Sequence, residues 1–289
     1  MKTATALLML SAPAATQAKL GGGARPAVDD KIYDTLQRHG AGAPTWQARE
    51  PWLNKFRDYT LDDVRALMGT RGLPGPTGAA ISDVWETSGA GTLPESFDAR
   101  QKFGTCSQAI RNQLHCGSCW AVAAAETLSE NLCVAGEIEG GINLSAQDLV
   151  SCDAADHGCH GGTLPSAWQY LDNTGIVDNS CMPYTAGNGT VDACSEGLCP
   201  ASPGMDWTKY KCKKSNMLSD ANDIRWGVLQ FGSAETGFYV YEDFIHYKSG
   251  VYKHDKTTGG NVLGGHAVRI VGWGTDAIAG KYWLVANSW

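Results

Sequence analysis

The chain has 289 residues, with 23 Lys and Arg against 30 Asp and Glu, and its formal net charge is −7. This acidic balance argues against sequence-independent nucleic-acid binding, which depends on clustered basic side chains. No apolar run reaches the roughly 18–20 residues that a membrane-spanning helix needs. Ten cysteines are more than a cytosolic enzyme usually carries, and they favour a globular protein exported into an oxidising compartment.

Residues 1–18 have the composition of a secretory signal peptide. Lys2 is followed by a short apolar stretch, Ala4–Ala12, and then by small residues up to Ala18. A charged start, an apolar centre and a small-residue cleavage region are typical of such signals. The alternative is a frayed apolar N-terminus, but the cysteine content independently favours export and therefore the signal peptide.

Two short helices are predicted in the next segment, residues 19–92, which we call the leader. Ile32 and Leu36 are spaced to lie on one face of the first helix. Thr60 and Asp63 have the spacing of a capping box, with Asp in place of the usual Glu, and apolar residues follow at helical intervals. The leader contains no cysteine.

The stretch Thr70–Thr92 at the end of the leader is rich in Gly, Pro, Ser and Thr. Such a composition predicts an exposed, pliable linker. All ten cysteines lie after it, in residues 93–289, which we call the body. A cysteine-free leader joined by a linker to a cysteine-rich body is typical of a zymogen.

Within the body, the residue pattern changes from helical to β. Cys119–Asn131 combines several Ala with Leu, which predicts a buried and closely packed helix. Phe238–Tyr241, Ala267–Val271 and Tyr282–Val285 are short aromatic or β-branched runs between Gly-rich turns, and they predict strands. The sequence therefore predicts an α+β fold, with a helical and a β-rich subdomain facing each other across a cleft.

The strongest local motif runs from Gln113 to Trp120 and contains Cys116-Gly-Ser-Cys119. Cys119 begins the predicted helix, where free N–H groups and the helix dipole stabilise a thiolate, and an unperturbed thiol has a pKa of about 8.5. Cys116 and Cys119 could instead form a redox pair or half of a zinc site. Redox use would favour a βαβ frame and zinc a second pair of ligands, neither of which the sequence offers. We therefore favour a nucleophilic Cys119 and predict no metal.

A nucleophilic cysteine needs a base within hydrogen-bond reach and a group that orients the base. His266 lies between Gly264-Gly265 and an apolar strand, where the small residues let other parts of the chain approach. Asn287, in Val-Ala-Asn-Ser-Trp, can accept the imidazole N–H and fix its tautomer. The sequence thus predicts a Cys119–His266–Asn287 set, although any single histidine is more often structural.

With these motifs in place, the body resembles the papain-like cysteine peptidases and, within them, the cathepsin B group. Three motifs carry the likeness: Leu93–Arg100, Tyr247–Tyr252 and Tyr282–Trp289. Thr45–Ala48 and Leu67–Thr70 are similar to the short propeptide of that group. The resemblance implies a papain-like fold preceded by a propeptide, and a cofactor-free cysteine endopeptidase that acts through a thioester acyl-enzyme. The alternative is a non-catalytic or incomplete secreted relative.

The resemblance also assigns site residues by position. Cys119 is then the nucleophile, His266 the acid and base, Asn287 its orienting partner, and Gln113 an oxyanion donor beside the Cys119 N–H. One such donor contributes roughly 10²–10³ in rate. The implied substrate-binding residues are Gly161, Gly162, Leu164, Gly237, Ala267 and Trp289, of which Trp289 also shields the His266–Asn287 contact.

The same resemblance implies a disulfide framework, which spacing alone does not define. The implied pairs are Cys106–Cys133, Cys116–Cys159, Cys152–Cys194 and Cys181–Cys199. His157 and His160 near these cysteines could be zinc ligands, but a disulfide-stapled loop is the favoured interpretation. Asn143 and Asn188 begin glycosylation sequons, which matter only because export is expected.

Two departures from the cathepsin B group affect the predicted activity. The interval Met182–Ala193, where the group has an occluding loop with paired histidines, is short and contains no His. Relatives also continue past Trp289, so the resemblance implies a C-terminally incomplete body. We predict an endopeptidase that acts on peptides and proteins, is inhibited by its own propeptide, binds neither nucleic acid nor membrane, and is a monomer. Its predicted destination is the lysosome or vacuole, or the extracellular space.

Overall fold

The computed structural model describes residues 24–39, 45–74, 93–218, 220–257 and 259–289. The predicted signal peptide, residues 1–18, and the linker from residue 75 to residue 92 lie outside the described residues. In the described part of the chain, no helix combines the length and the apolar character that crossing a membrane requires. The rest of the fold follows from seven helices and six strands in these residues.

The α-helices have the following bounds in chain order: α1 Asp30–His39, α2 Leu61–Ala66, α3 Ala99–Lys102, α4 Cys119–Val134, α5 Ala146–Cys152, α6 Leu164–Asn173 and α7 Ala221–Phe231. The strands are β1 Trp46–Ala48, β2 Phe97–Asp98, β3 Ala234–Tyr241, β4 Tyr247–Gly250, β5 Val262–Asp276 and β6 Gly280–Ala286. Short 3₁₀ turns connect several of them, including Glu242–His246 ahead of β4. The mixed helical and β content confirms the predicted α+β class.

The long strand β5 organises the part of the body that we call the sheet half, residues 93–103 and 220–289. It pairs antiparallel with β2, β3 and β6. The β3–β5 register places Phe238 opposite His266, and the β5–β6 register places Trp273 opposite Trp283. β-branched and aromatic residues suit such a pleated, half-buried surface. The three predicted strand runs therefore lie in β3, β5 and β6.

The helical half, residues 104–218, is built around α4. Ala121, Ala124 and Ala125 are fully buried, so neighbouring elements approach the helix closely and form one core with it. The four disulfides all lie in this half, and they pair as the resemblance implies: Cys106–Cys133, Cys116–Cys159, Cys152–Cys194 and Cys181–Cys199. Cys119 and Cys212 remain as free thiols.

A buried ion-pair cluster joins the two halves. Arg269 on β5 lies 3.4 Å from Glu126 on α4 through its Nε atom, and its Nη1 atom donates to Glu130 on the same helix. All three side chains are almost fully buried. Removing one partner would leave an uncompensated buried charge, which typically costs about 3–5 kcal/mol. The cluster therefore fixes the helix that begins at Cys119 against the strand that carries His266.

The leader packs on the sheet half and continues into the cleft between the halves. The predicted capping box is present: Thr60 Oγ1 accepts from the Asp63 N–H at 3.1 Å, and Asp63 Oδ2 accepts from the Thr60 N–H at 2.7 Å. Phe56 and Val64 are buried in a shared apolar cluster with the sheet half. The prediction of an exposed linker from Thr70 onward is wrong at its start. Thr70 is only 6% exposed because the cleft encloses it.

Candidate active site

Local structure holds Cys119 at the first position of α4. Ser118 is the N-cap, and the disulfide Cys116–Cys159 lies just ahead of it. The Gly117 N–H donates to the Cys159 carbonyl at 3.1 Å. A side chain at position 117 would meet the Cys159 oxygen at 2.5 Å, so glycine is required for this close approach. The thiol is thereby fixed at a helix N-terminus, where free N–H groups favour negative charge.

His266 and Asn287 lie together on neighbouring strand ends. His266 is fully buried on β5, and its Nε2 atom lies 2.8 Å from Asn287 Oδ1 just after β6. Because an amide oxygen only accepts, Nε2 carries the proton and Nδ1 keeps its lone pair. Nδ1 is enclosed and has no hydrogen-bond partner among the described residues. Nδ1, which has no hydrogen bond, is therefore the nitrogen that can accept a proton.

The leader covers the thiol directly. Cys119 Sγ lies 3.3 Å from the Thr70 hydroxyl, and backbone hydrogen bonds at Ala267 and Gly69 act with this contact to lower the pKa of the thiol. Burial raises the pKa of the Cys119 thiol, and these hydrogen bonds oppose it only in part. Burial likewise lowers the pKa of His266 to about 4. The helix start predicts a stabilised thiolate, but in the covered site desolvation dominates, so thiol and imidazole are both neutral.

Gln113 is fully buried beside the thiol and is the predicted oxyanion donor. Its Nε2 atom donates to the Leu67 carbonyl of the leader and to the Cys116 carbonyl, both at 2.9 Å. Its Oε1 atom accepts from the Ser288 hydroxyl at 2.6 Å, which leaves the amide nitrogen facing the cleft. The Gln113 N–H also donates to the Ser288 carbonyl at 2.8 Å. A leader carbonyl thus occupies the donor that an oxyanion would use.

The two sides of the cleft bind the leader through backbone groups. On the helical side, the Gly162 N–H donates to the Gly69 carbonyl, and the Arg71 N–H donates to the Gly162 carbonyl, both at 2.8 Å. On the sheet side, the Thr70 N–H donates to the Gly265 carbonyl at 3.0 Å. Gly161 has a φ of 103° and lies against the Gly69 carbonyl, a position that suits only glycine. This geometry is what binding of an extended peptide requires.

Three of the remaining predicted substrate-binding residues lie close together next to the thiol. Leu164, at the start of α6, packs on a buried cluster that contains Cys119 and Ala267. Gly237 on β3 lies directly under the Leu73 side chain of the leader, where an added Cβ would be 2.7 Å from Leu73 Cδ2. The structure therefore brings Leu164, Gly237 and Ala267 to one end of the cleft, with a leucine seated on it.

Trp289 lies over the imidazole, as the resemblance implies. The ring centroids of Trp289 and His266 are 4.3 Å apart. Phe56 of the leader and Phe244 of the body each lie 5.7 Å from the Trp289 ring in near-perpendicular orientation. This aromatic cover excludes water from the His266–Asn287 hydrogen bond.

Two contributors to the site were not predicted. Ser288 orients the Gln113 amide, and Thr70 caps the thiol. Ser288 directly follows Asn287, so its place in the motif was a usable signal. The contact of Thr70 joins residues 49 positions apart, and the composition around it indicates only a linker.

Other predicted sites lie away from the cleft. The sequon residues Asn143 and Asn188 are both exposed. Within the described residues, no group of three or more His, Cys, Asp or Glu has a geometry that could hold a metal ion, and this includes His157 and His160. The short interval Met182–Ala193, which contains no His, has an internal hydrogen bond: the Thr185 hydroxyl donates to Asp192 Oδ2 at 2.7 Å.

A buried thiol at a helix start and an imidazole held by an amide are the elements of a cysteine hydrolase, here with its cleft filled by its own leader. The sequence profile described as "Papain family cysteine protease" matches residues 93–289. The chain belongs to the papain family of cysteine proteases.

Individual relatives narrow the assignment. The chain is 36% identical over 250 residues to cathepsin B-like CP3 of Giardia intestinalis, covering 85% of this chain and 80% of that protein. It is 35% identical over 282 residues to cathepsin B-like cysteine proteinase 4 of Caenorhabditis elegans, covering 84% and 79%. Among solved structures, procathepsin B S9 from Trypanosoma congolense matches with a TM-score of 0.77 and 29% identity, over 91% of this chain and 89% of that one. The protein is thus a cathepsin B-like cysteine peptidase in zymogen form.

Proposed function

We propose that Cys119 attacks peptide bonds with His266 as its base. The Cys119 proton passes to His266 Nδ1, and the sulfur forms a bond to the carbonyl carbon of the substrate. The resulting oxyanion binds Gln113 Nε2, in the place now taken by the Leu67 carbonyl. His266 then gives the proton to the leaving amine, and a water molecule, deprotonated by the same imidazole, hydrolyses the thioester. The observation that carries this assignment is the His266–Asn287 hydrogen bond, which leaves Nδ1 free.

Replacing the two free thiols separately tests this mechanism. In the matured enzyme, Cys119→Ala should lower peptide hydrolysis by at least about 10⁴-fold, since catalytic groups that act as a unit fail together. Cys212→Ala is the matched control because it removes the other free cysteine, which lies outside the cleft. Hydrolysis at the parent rate by Cys119→Ala would show that the mechanism is wrong.

We infer that the leader keeps the enzyme latent by filling the cleft. The Thr70 hydroxyl lies 3.3 Å from Cys119 Sγ, and the backbone at Gly69 and Arg71 is hydrogen-bonded to Gly162, so leader residues occupy the place where a substrate would bind. The proposed boundaries are a signal peptide over 1–18, a propeptide and linker over 19–92, and a peptidase over 93–289. An uncleaved precursor at neutral pH should therefore be inactive, and full activity before any cleavage would contradict this inference.

We propose that cleavage is internal rather than from the C-terminus. Recognition of a terminal carboxylate needs a cationic or hydrogen-bonding group, and Met182–Ala193 contains no Lys, Arg or His. Its one charge is that of Asp192, which would repel a carboxylate. A peptide with a free C-terminus and its amidated form should be cut at similar rates into internal fragments. Sequential release of dipeptides from the free acid alone would overturn the proposal.

We further propose a secreted protein that reaches the lysosome or vacuole, or the extracellular space, and acts on peptides and proteins as a monomer without nucleic-acid or membrane partners. Four disulfides and two exposed sequon asparagines support passage through the secretory pathway. A glycosidase-sensitive mass in the secreted product would support this route, and accumulation of an unglycosylated protein with reduced cysteines in the cytosol would exclude it.

A further inference from the structure

The leader binds one segment of the sheet half, residues 242–252, which we call the docking face. β1 of the leader pairs antiparallel with β4 in this segment. The Arg49 N–H donates to the His246 carbonyl at 2.6 Å, and Asn54 Nδ2 donates to the Ile245 carbonyl at 3.0 Å. Backbone groups on both sides of His246 are therefore satisfied by the leader.

The side chain of His246 has no such partner. It is fully buried, and neither ring nitrogen has a hydrogen-bond partner among the described residues. The ring of Tyr33, on helix α1 of the leader, lies 6.5 Å from the imidazole between centroids. A buried imidazole without partners is tolerated only in its neutral form, because a buried unpaired charge is far more costly.

We propose that His246 is the acid sensor of this zymogen: proton uptake by its imidazole favours release of the leader from the docking face and opens the cleft. The inference rests on the proposed latency and adds the group that relieves it. Its geometric basis is that leader elements enclose a titratable ring and offer it no acceptor.

The acidic leader groups that act on His246 are Asp29 and Asp30. Asp29 and Asp30 at the start of α1 act on the imidazole and only partly oppose the effect of burial, which lowers the pKa of His246 to about 4. Burial raises the pKa of Asp29, but the Lys31 N–H and the Arg25 guanidinium outweigh it and lower that pKa overall.

Carboxylates on the docking face and on its leader partners are the other groups through which acid could act, because ion pairs are lost when carboxylates are protonated. A hydrogen bond from its own backbone and one from Lys248 lower the pKa of Glu50, which opposes its protonation and favours retention of this pair in acid. Glu242 accepts two hydrogen bonds from Arg25, at 2.7 and 3.0 Å. Burial raises the pKa of Asp243, but its acceptor contacts are with Tyr252, His254 and Asp255 of the body itself.

The sign of the effect follows from proton linkage. The pKa of His246 is about 4 in the docked state, against about 6.5 for an exposed histidine. The released state therefore binds the proton more tightly, and docking weakens as the pH falls from about 6.5 toward 4. Between pH 7 and pH 5, this difference increases the opening equilibrium about twentyfold. Above pH 7 it has no effect.

Alkylation of Cys119 in the intact precursor measures this opening, because the leader covers the thiol. The precursor is treated with excess iodoacetamide from pH 7 to pH 4.5, and labelling of Cys119 is followed by peptide mass. At each pH, the rate is divided by that of the matured enzyme, which removes the intrinsic pH dependence of the thiol. Excess reagent also inactivates any enzyme that is released.

The test compares His246→Leu with His115→Leu. His115 also contacts the leader, with its ring stacked 5.5 Å from Tyr59, but it is exposed. The parent and His115→Leu should open about twentyfold more at pH 5 than at pH 7, whereas His246→Leu should change less than about threefold. A twentyfold rise that persists in His246→Leu would overturn the proposal. A His246→Gln precursor with equal thermal stability at pH 7 should behave like His246→Leu, and the parent's acid response in this variant would equally overturn it.

Failure of the proposed latency would look different. It would appear as an uncleaved precursor that hydrolyses peptides with full activity at neutral pH, whatever the effect of His246→Leu on the response to acid.

Discussion

The leader is held in two regions by different kinds of interaction. In the cleft, Gly69, Thr70 and Arg71 are bound through backbone hydrogen bonds to Gly162 and Gly265. On the docking face, side-chain contacts add to the backbone pairing of β1 with β4. They include Trp46 against Tyr252, with ring centroids 5.2 Å apart, and the Arg25–Glu242 pair. The cleft contacts use groups that any peptide has, whereas the docking contacts are specific to this leader. Blocking and anchoring are therefore separate tasks, and a peptide substrate competes only with the first.

The largest expected effect comes from breaking the cleft contact at Gly69. A Cβ at this position would lie 1.9 Å from the Gly117 carbonyl oxygen, and both partners there are backbone. Gly69→Ala should therefore displace the leader from the thiol and speed Cys119 alkylation in the neutral precursor by at least about 100-fold, equivalent to roughly 3 kcal/mol. The neighbouring Arg71→Ala is the control, because it removes an exposed side chain and its hydrogen bond to the His160 carbonyl but leaves the backbone contacts in place. Equal alkylation rates in both variants would contradict the fit of Gly69 against α4.

A smaller effect is expected from removing the aromatic anchor of the docking face. Trp46 donates from Nε1 to the Lys253 carbonyl at 3.1 Å and lies near both Tyr252 and Tyr247. Loss of such an anchor typically costs about 2 kcal/mol, so Trp46→Ala should increase the opening rate about 30-fold at pH 7. Trp52→Ala removes a leader tryptophan that is 66% exposed. This control should change the opening rate less than about threefold. Similar opening rates for Trp46→Ala and Trp52→Ala would show that Trp46 is not the anchor of the docking face.

The smallest effect concerns the ion pair between the leader and the docking face. Lys248 Nζ lies 3.1 Å from Glu50 Oε1, and both side chains remain partly exposed. Exposed pairs contribute little and are screened by salt. Lys248→Ala should therefore increase precursor opening less than about threefold, and the difference from the parent should vanish in 1 M salt. A tenfold effect that resists salt would mean that this pair is part of the anchor.

Local patterns account for what the sequence could predict. The capping box at Thr60 and the helix starting at Cys119 are encoded by residues within one or two turns. The Cys119, His266 and Asn287 motifs are specific enough to predict a site before any geometry is known, and the structure places His266 Nε2 2.8 Å from Asn287 Oδ1.

The features that the sequence did not predict depend on distant contacts. The raised pKa of the Cys119 thiol results from burial under leader residues about 50 positions earlier in the chain. His246 is one histidine among seven, and no local pattern distinguishes it. Its role depends on α1, which lies over 200 residues away in sequence. Desolvation is a property of the assembled fold, and composition carries no signal for it.

The distribution of cysteines gives the two halves of the body different chemical vulnerabilities. All ten cysteines lie between Cys106 and Cys212, so the sheet half contains none. Each disulfide spans 18 to 43 residues of the helical half, and on a chain-entropy view each contributes about 3–4 kcal/mol. A strongly reducing compartment would loosen the half that carries the nucleophile and leave the half that carries the imidazole intact. The acid response proposed for His246 acts on the opposite half, at the docking face, so together they favour activation in a compartment that is acidic without being strongly reducing.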